Sequence, residues 1–178
     1  AALGLFGAAA HVTAPGVHLA LAGGALAAAL VLAALVHREQ WVPFGAARDY
    51  IALTKPRIMS LLLLTGFCGL VAGAGGLPPW DVTLAAMVGL ALACGGASAL
   101  NHVLDRDIDK LMGKRTRARP VATGRVPASR ALEFGLALSA LSFVLLASLA
   151  NVLTAVLALV GNLFYVLVYT RWLKRTTP

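Results

Sequence analysis

Five apolar stretches of 18 to 23 residues run along this chain, at 17–36, 58–75, 82–104, 131–150 and 152–169. A bilayer core about 30 Å thick takes about 20 residues of helix, so each stretch is long enough to cross it. The chain is 60% hydrophobic and only 12% charged, with a mean hydropathy of +0.84, which is membrane composition rather than that of a soluble domain. The predicted fold class is all-α, a polytopic transmembrane helical bundle with about five spans.

A net charge of +8 would ordinarily point to nucleic acid as a partner, but the distribution of the charge excludes it. All 15 Lys and Arg fall in three segments: four within 37–57, eight within 105–130 and three from 171 onward. The other connections have none, and this alternation follows the positive-inside rule. The three basic segments are therefore expected on the inner, cytoplasmic side, and the 76–81 turn outside. The expected partner of the surface is the lipid bilayer, and the expected location a bacterial inner membrane.

Residues 101–120, NHVLDRDIDKLMGKRTRARP, carry the chemistry. Asn101, Asp105 and Asp109 recur every four residues and lie on one helical stripe, whereas Asp107 points to the opposite side. Two carboxylates one turn apart repel each other unless a cation sits between them or water screens both. Oxygen ligands of this kind suit magnesium, Mg²⁺, which takes one or two protein carboxylates and completes its shell with phosphate oxygens and water. Beyond Asp109 come Lys110, Lys114, Arg115, Arg117 and Arg119, and guanidinium groups match phosphate oxygens in bidentate fashion. Acidic stripe plus basic loop reads as a Mg²⁺-diphosphate site with Asp105 and Asp109 as metal ligands. The plainer alternative is a solvated helix end whose mixed charges anchor a membrane span.

The string N-x3-D-x3-D-x5-R-T-x2-R-P resembles the first aspartate-rich motif of the UbiA-type intramembrane prenyltransferases, and residues 101–126 most resemble the branch that farnesylates protohaem IX. The likeness covers about residues 49–177. It implies that Mg²⁺ on Asp105 and Asp109 binds farnesyl diphosphate, that Asn101 belongs to the catalytic set, and that Arg115, Arg119 and nearby basic residues, Lys114 among them, stabilise the leaving diphosphate. The acceptor it implies is protohaem IX (haem B). The KPRI segment at 55–58 is similar to one in the family, which makes Lys55 and Arg57 candidate diphosphate contacts; anchoring to lipid headgroups accounts for them equally well. YTRWLKRT resembles the family segment that closes the corresponding helix, which carries Tyr169 and Lys174 over as catalytic candidates and Arg175 as a diphosphate contact. The Tyr-to-Lys spacing is one residue longer here than in quinone-type relatives. Family members have about nine spans and a second aspartate motif, absent from this sequence, so residues 46–178 are expected to be the N-terminal half of the domain and to hold half a site.

Residues 1–16 have no initiator Met and no basic start; no signal peptide is expected, and the chain is read as beginning inside something longer. LGLFGAAAHVTAPGVHLALA resembles the haem-ligating helix of haem A synthases, with His18 as the residue concerned, which would make 1–45 an extra membrane segment from a fused partner enzyme; an interfacial histidine is the simpler reading. Cys68 and Cys94 lie in apolar runs without paired spacing and read as small buried hydrophobes. Thr54 is a candidate cap for the next helix and Gly113 a candidate stop for the one that carries the acids. Gly66, Gly69 and Gly73 allow close helix approach. GGASA at 95–99 either leaves room for a bulky substrate or serves helix packing. Asn162, Tyr165 and Tyr169 share one α-helical face, expected to look into a cavity because polar groups within a membrane tend to face the bundle interior. Two rivals remain open: a prenyltransferase with an aromatic or quinone-precursor acceptor, and a non-catalytic transporter or lipid-binding fragment whose basic loop holds anionic lipid.

The topology is testable directly. Single cysteines in the 76–81 turn and at Thr123, in a background lacking Cys68 and Cys94, should react with impermeant reagents from opposite sides of the membrane. Reaction of both from one side would refute it.

Overall fold

The computed structural model describes residues 47–176, with Arg175 as backbone only, and these residues are helical with no strand among them. The expected span at 17–36 and the unit 1–45 lie outside the described residues. Among the described residues, four helices are long and apolar enough to cross a membrane: Pro56–Ala74, Trp80–Leu104, Ala128–Leu149 and Val152–Leu173. They begin and end within a few residues of the apolar runs, and each is slightly longer than its run because helical bonding continues past the hydrophobic stretch.

The chain enters through α1 (Ala47–Leu53), a short surface helix tied down at both ends. Asp49 is buried and paired with Arg125 at 3.3 Å, and Ser98 Oγ donates to the Leu53 carbonyl at 2.6 Å. Lys55 then turns the chain with φ 54°, and Pro56 opens α2 (Pro56–Ala74). Thr54 does not cap this helix: its hydroxyl bonds back to the Ile51 carbonyl at 2.8 Å, and Lys55 occupies the capping position without a side-chain cap. Gly75, at φ 69°, ends α2 in the left-handed conformation that glycine adopts without a steric penalty.

The bundle is built around α3 (Trp80–Leu104), which carries more buried residues than any other described helix and packs against α1, α2 and the last span. Its tightest neighbour is α6 (Ala128–Leu149). A Cβ on Gly96 would stand 2.8 Å from the Gly135 carbonyl and 3.0 Å from the Ser139 amide, and one on Gly135 would stand 3.1 Å from the Gly96 carbonyl. Small residues thus let two backbones touch, the usual device where lipid removes the hydrophobic drive between helices. Ser142 Oγ adds a 2.7 Å bond to the Gly89 carbonyl. Of the α2 glycines, Gly66 faces Leu90 on α3, while Gly69 and Gly73 meet open space among the described residues. Cys68 is exposed rather than buried, because α2 packs through one face only; Cys94 is half-buried.

After α3 the chain forms α4 (Arg106–Leu111) and the short α5 (Lys114–Arg117). Gly113 does not stop α4: Met112 turns extended at ψ 178°, and Gly113 starts α5 instead. A small apolar cluster of Leu53, Ala99, Val121, Val126 and Ala131 clips the 118–127 loop against α1 and α3. The last span is α7 (Val152–Leu163), capped by Asn151 Oδ1 on the Thr154 amide at 2.7 Å, followed by π-helical turns over Phe164–Leu173 and a closing turn, Lys174–Thr176. The start of α2, the end of α3, the start of α6 and the end of the last span meet at one end of the bundle, where the basic segments are joined by side-chain bonds.

Gly96→Ala should lower the thermal stability of the purified membrane protein by about 1–3 kcal/mol, because the methyl meets backbone that has to move. Gly69→Ala should be close to neutral. Equal melting behaviour of the two variants would show that the α3–α6 contact is looser than described.

Candidate functional site

Asp105 sits in the bridge conformation, φ −89° and ψ 0°, between α3 and α4, yet the hydrogen-bond ladder runs through it unbroken. The Asp105 amide donates to the Asn101 carbonyl at 2.9 Å and the Asp109 amide to the Asp105 carbonyl at 2.8 Å. The three side chains therefore stay on one stripe. Asn101 is 3% exposed and both carboxylates are 0% exposed, whereas Asp107 faces out. A solvated helix end is excluded by that burial.

Buried carboxylates require cations, and the fold supplies them from distant parts of the chain. Lys174, 69 residues away, places its ammonium on Asp105 Oδ2. Arg119 NH1 donates to both oxygens of Asp109, at 2.7 and 2.9 Å. Asn101 joins the parts: its Oδ1 accepts from Lys55 Nζ at 2.8 Å, and its Nδ2 donates to Asp105 Oδ2 and to Thr170 Oγ1, each at 3.0 Å. The ammonium demands an acceptor and the carboxylate a donor, so the amide has one orientation only. Asn101 and Asp105, one turn apart on α3, thus meet Thr170 and Lys174, one turn apart on the last span. Asp105 Oδ1 is buried and has no hydrogen-bond partner.

Lys55 is the one non-glycine residue with positive φ among those described. Such a conformation costs of order 1–3 kcal/mol and persists where its surroundings hold it. The bond to Asn101 does so here. Burial, and then the neighbouring Arg119 guanidinium, push the Lys55 ammonium down to about 8.

Directly beneath the polar network lies a groove of about 530 Å³ between α2, α3 and α7. Ile58, Met59 and Leu62 line one side, Leu90, Ala93, Cys94, Ala97 and Ser98 the floor, and Leu157, Ala158, Gly161, Asn162 and Tyr165 the other side, with Lys55 at the mouth. The 95–99 stretch divides its labour: Gly96 serves packing against α6, while Ala97 and Ser98 open the groove floor. Asn162 reaches the groove edge and also locks the helices, donating to the Ala93 carbonyl at 3.2 Å and to Ser139 Oγ at 2.9 Å.

Not every candidate residue joins this assembly. Asn101, Asp105, Asp109, Lys55, Arg119 and Lys174 are brought together. Arg57, Lys114 and Arg115 are exposed and bond to none of the site's carboxylates. The Arg175 side chain lies outside the described atoms. Tyr169 is 47% exposed and stacks on Tyr165 with ring centroids 5.5 Å apart, while Tyr165 is the ring that lines the groove. The π-helical turns explain this arrangement, since Thr170 Oγ1 bonds to the Tyr165 carbonyl five residues back at 3.0 Å and the face expected from α-helical spacing is rotated. The sequence reading missed Thr170 for that reason. It also passed over His102, which is 2% exposed with neither ring nitrogen hydrogen-bonded.

The model of the UbiA prenyltransferase family matches residues 62–178. The chain is 57% identical over 130 residues to a protoheme IX farnesyltransferase of Symbiobacterium thermophilum, covering 73% of this chain and 43% of that protein. Proteins of the same name from Marinobacter nauticus and Thermus thermophilus are 48% and 52% identical over 74% and 73% of this chain, and 43% and 21% of their own lengths. The chain therefore spans less than half the length of these relatives. No solved structure matches it. An intramembrane helical bundle with a buried acid-base network above an apolar groove, matched over residues 62–178, belongs to the UbiA prenyltransferase family.

Proposed function

We propose that these helices form the prenyl diphosphate side of an intramembrane site at which a farnesyl group passes from farnesyl diphosphate to a vinyl group of protohaem IX (haem B), diphosphate leaving and water adding the hydroxyl to the resulting vinyl-derived cation, giving haem O. The observation that carries this reading is the junction of the charged network with the apolar groove: one end suits an anionic head, the other a hydrocarbon tail. Three cations, Lys55, Arg119 and Lys174, stand against two carboxylates, Asp105 and Asp109, a surplus of one positive charge that favours an anion. The groove volume falls within the roughly 300–1,000 Å³ of small-molecule sites.

The donor set also fits Mg²⁺. Asp105 Oδ1 is a buried carboxylate oxygen without a partner, and Asp109 lies one turn away on the same stripe. No group of three or more His, Cys, Asp or Glu side chains able to hold a metal occurs among the described residues, so phosphate oxygens and water would complete the shell, as is usual for this ion. Bound there, Mg²⁺ would supply neutralisation of the charge that develops on the departing diphosphate. Lys55, Arg119 and Lys174 would bind and orient the phosphates, and act where negative charge grows as the carbon–oxygen bond breaks. The walls formed by Ile58, Leu62, Leu90 and Leu157 would keep water from the allylic cation, with the Tyr165 ring face available to stabilise it.

The haem acceptor is supported by the names of the similar proteins. The matched stretch takes up 43% of the Symbiobacterium protein but 21% of the Thermus one, so relatives occur in two length classes. That supports reading residues 1–45 as the end of an added unit, for which we propose the haem A synthase-like segment, with a cytoplasmic-facing site in a bacterial inner membrane.

In the full-length protein, Asp105→Asn and Asp109→Asn should each lower turnover at least about 100-fold, the scale of losing a group that stabilises developing charge. Asp107→Asn, on the exposed side, should cost less than about fivefold by the same measure. Equal losses at all three positions would mean that the buried stripe is not where diphosphate chemistry occurs.

The acceptor is tested separately. Haem extracts of cells expressing the full-length protein should contain hydroxyfarnesylated haem. A prenylated quinone precursor with unaltered haem would remove the haem assignment and leave the prenyltransferase reading in place.

A further inference from the structure

Of the four carboxylate oxygens on the acidic stripe, three already hold a cation or an amide. Both oxygens of Asp109 take Arg119, Asp105 Oδ2 takes Lys174 and Asn101, and only Asp105 Oδ1 is open. The carboxylates are fixed on a helix, with side chains 0% and 1% exposed, whereas the Lys174 and Arg119 side chains are 27% and 25% exposed and long enough to swing. A divalent ion arriving alone would find only Asp105 Oδ1 open; to be held by both carboxylates it would have to displace the Arg119 guanidinium from buried oxygens, beside the Lys174 ammonium. A diphosphate reverses the balance. Its oxygens attract Arg119 and Lys174 away from the carboxylates, and the vacated oxygens then accept the metal.

We infer that Arg119 and Lys174 form a cation lock on Asp109 and Asp105 which a diphosphate group opens, so that metal binding is conditional on the diphosphate. The inference rests on the diphosphate-site reading above and adds an order to it: anion first, or anion and metal together, with the same two side chains passing from carboxylate to phosphate. Thr170 supports the lock, because its bond to Asn101 holds the last span in the register that delivers Lys174. Lys55 takes no part in the occupancy, since its ammonium touches Asn101 and not a carboxylate.

The test is binding of Mn²⁺, followed by electron paramagnetic resonance, to the purified full-length protein with and without inorganic pyrophosphate. Wild type should bind Mn²⁺ weakly alone and at least about tenfold more tightly once pyrophosphate is present, the low end of what a neighbouring charge does to a carboxylate's cation affinity. Lys174→Gln and Arg119→Gln should each strengthen binding of Mn²⁺ alone by about tenfold on the same scale, and Lys55→Gln by less than about threefold. Tight binding of Mn²⁺ alone to wild type, unchanged by pyrophosphate, overturns the lock and leaves the diphosphate site standing. So does an effect of Lys55→Gln as large as that of Lys174→Gln, which would make the competition a general field rather than occupancy. Absence of Mn²⁺ binding under every condition removes both the lock and the metal site. The wild-type comparison needs no variant, so loss of a variant through misfolding leaves the test in place.

Discussion

Two carboxylates with no solvent exposure impose a condition on everything around them: each must be given a cation, or the charge becomes too costly to bury. Asp105 and Asp109 meet the condition through side chains that arrive from separate segments, Lys174 from the last span and Arg119 from the loop after α5. Asn101 then binds Lys55 and Thr170 into the same set. Removing one partner of such a pair typically costs about 3–5 kcal/mol, so the network acts as a clasp for the end of the bundle.

The clasp and the groove depend on each other. α2 and the last span stand on opposite sides of the groove over α3, and the residues that begin α2 and end the last span are those that reach Asn101 and Asp105. The network thereby sets the width of the mouth. Below it, close contact of α3 with α6 through Gly96 and Gly135 leaves α2 and α7 to enclose the cavity. A charged network and an apolar groove are thus joined in one arrangement.

Much of this was readable in advance, and the misses have local causes. The stripe of Asn101, Asp105 and Asp109 followed from a four-residue repeat, and it survives the bridge conformation at Asp105 because the ladder bonds continue through it. Tyr169 was expected to face the site from α-helical spacing, yet the π-helical turns bring Thr170 there and put Tyr165 on the groove. Thr54 was a reasonable cap by residue type, but the left-handed turn at Lys55 leaves its hydroxyl to bond back to Ile51. Gly113 was expected to stop α4, and the chain instead turns at Met112 because the next four residues form a helix of their own.

By itself the sequence determined the solvent, the element type and the placing of the acids: apolar runs of bilayer length specify spanning helices, and carboxylates at four-residue spacing fall on one helical stripe. These are properties of composition and local periodicity, which a chain carries before it folds. Which cations serve the carboxylates was decided only in three dimensions. Lys174 and Arg119 are drawn in while Lys114, Arg115 and Arg57 stay exposed, because reach depends on helix register and on where the 118–127 loop is clipped. The position of Thr170 likewise goes with a change of helical pitch in the last span and a bond to Asn101, 69 residues away, neither of which leaves a periodic trace in the chain itself.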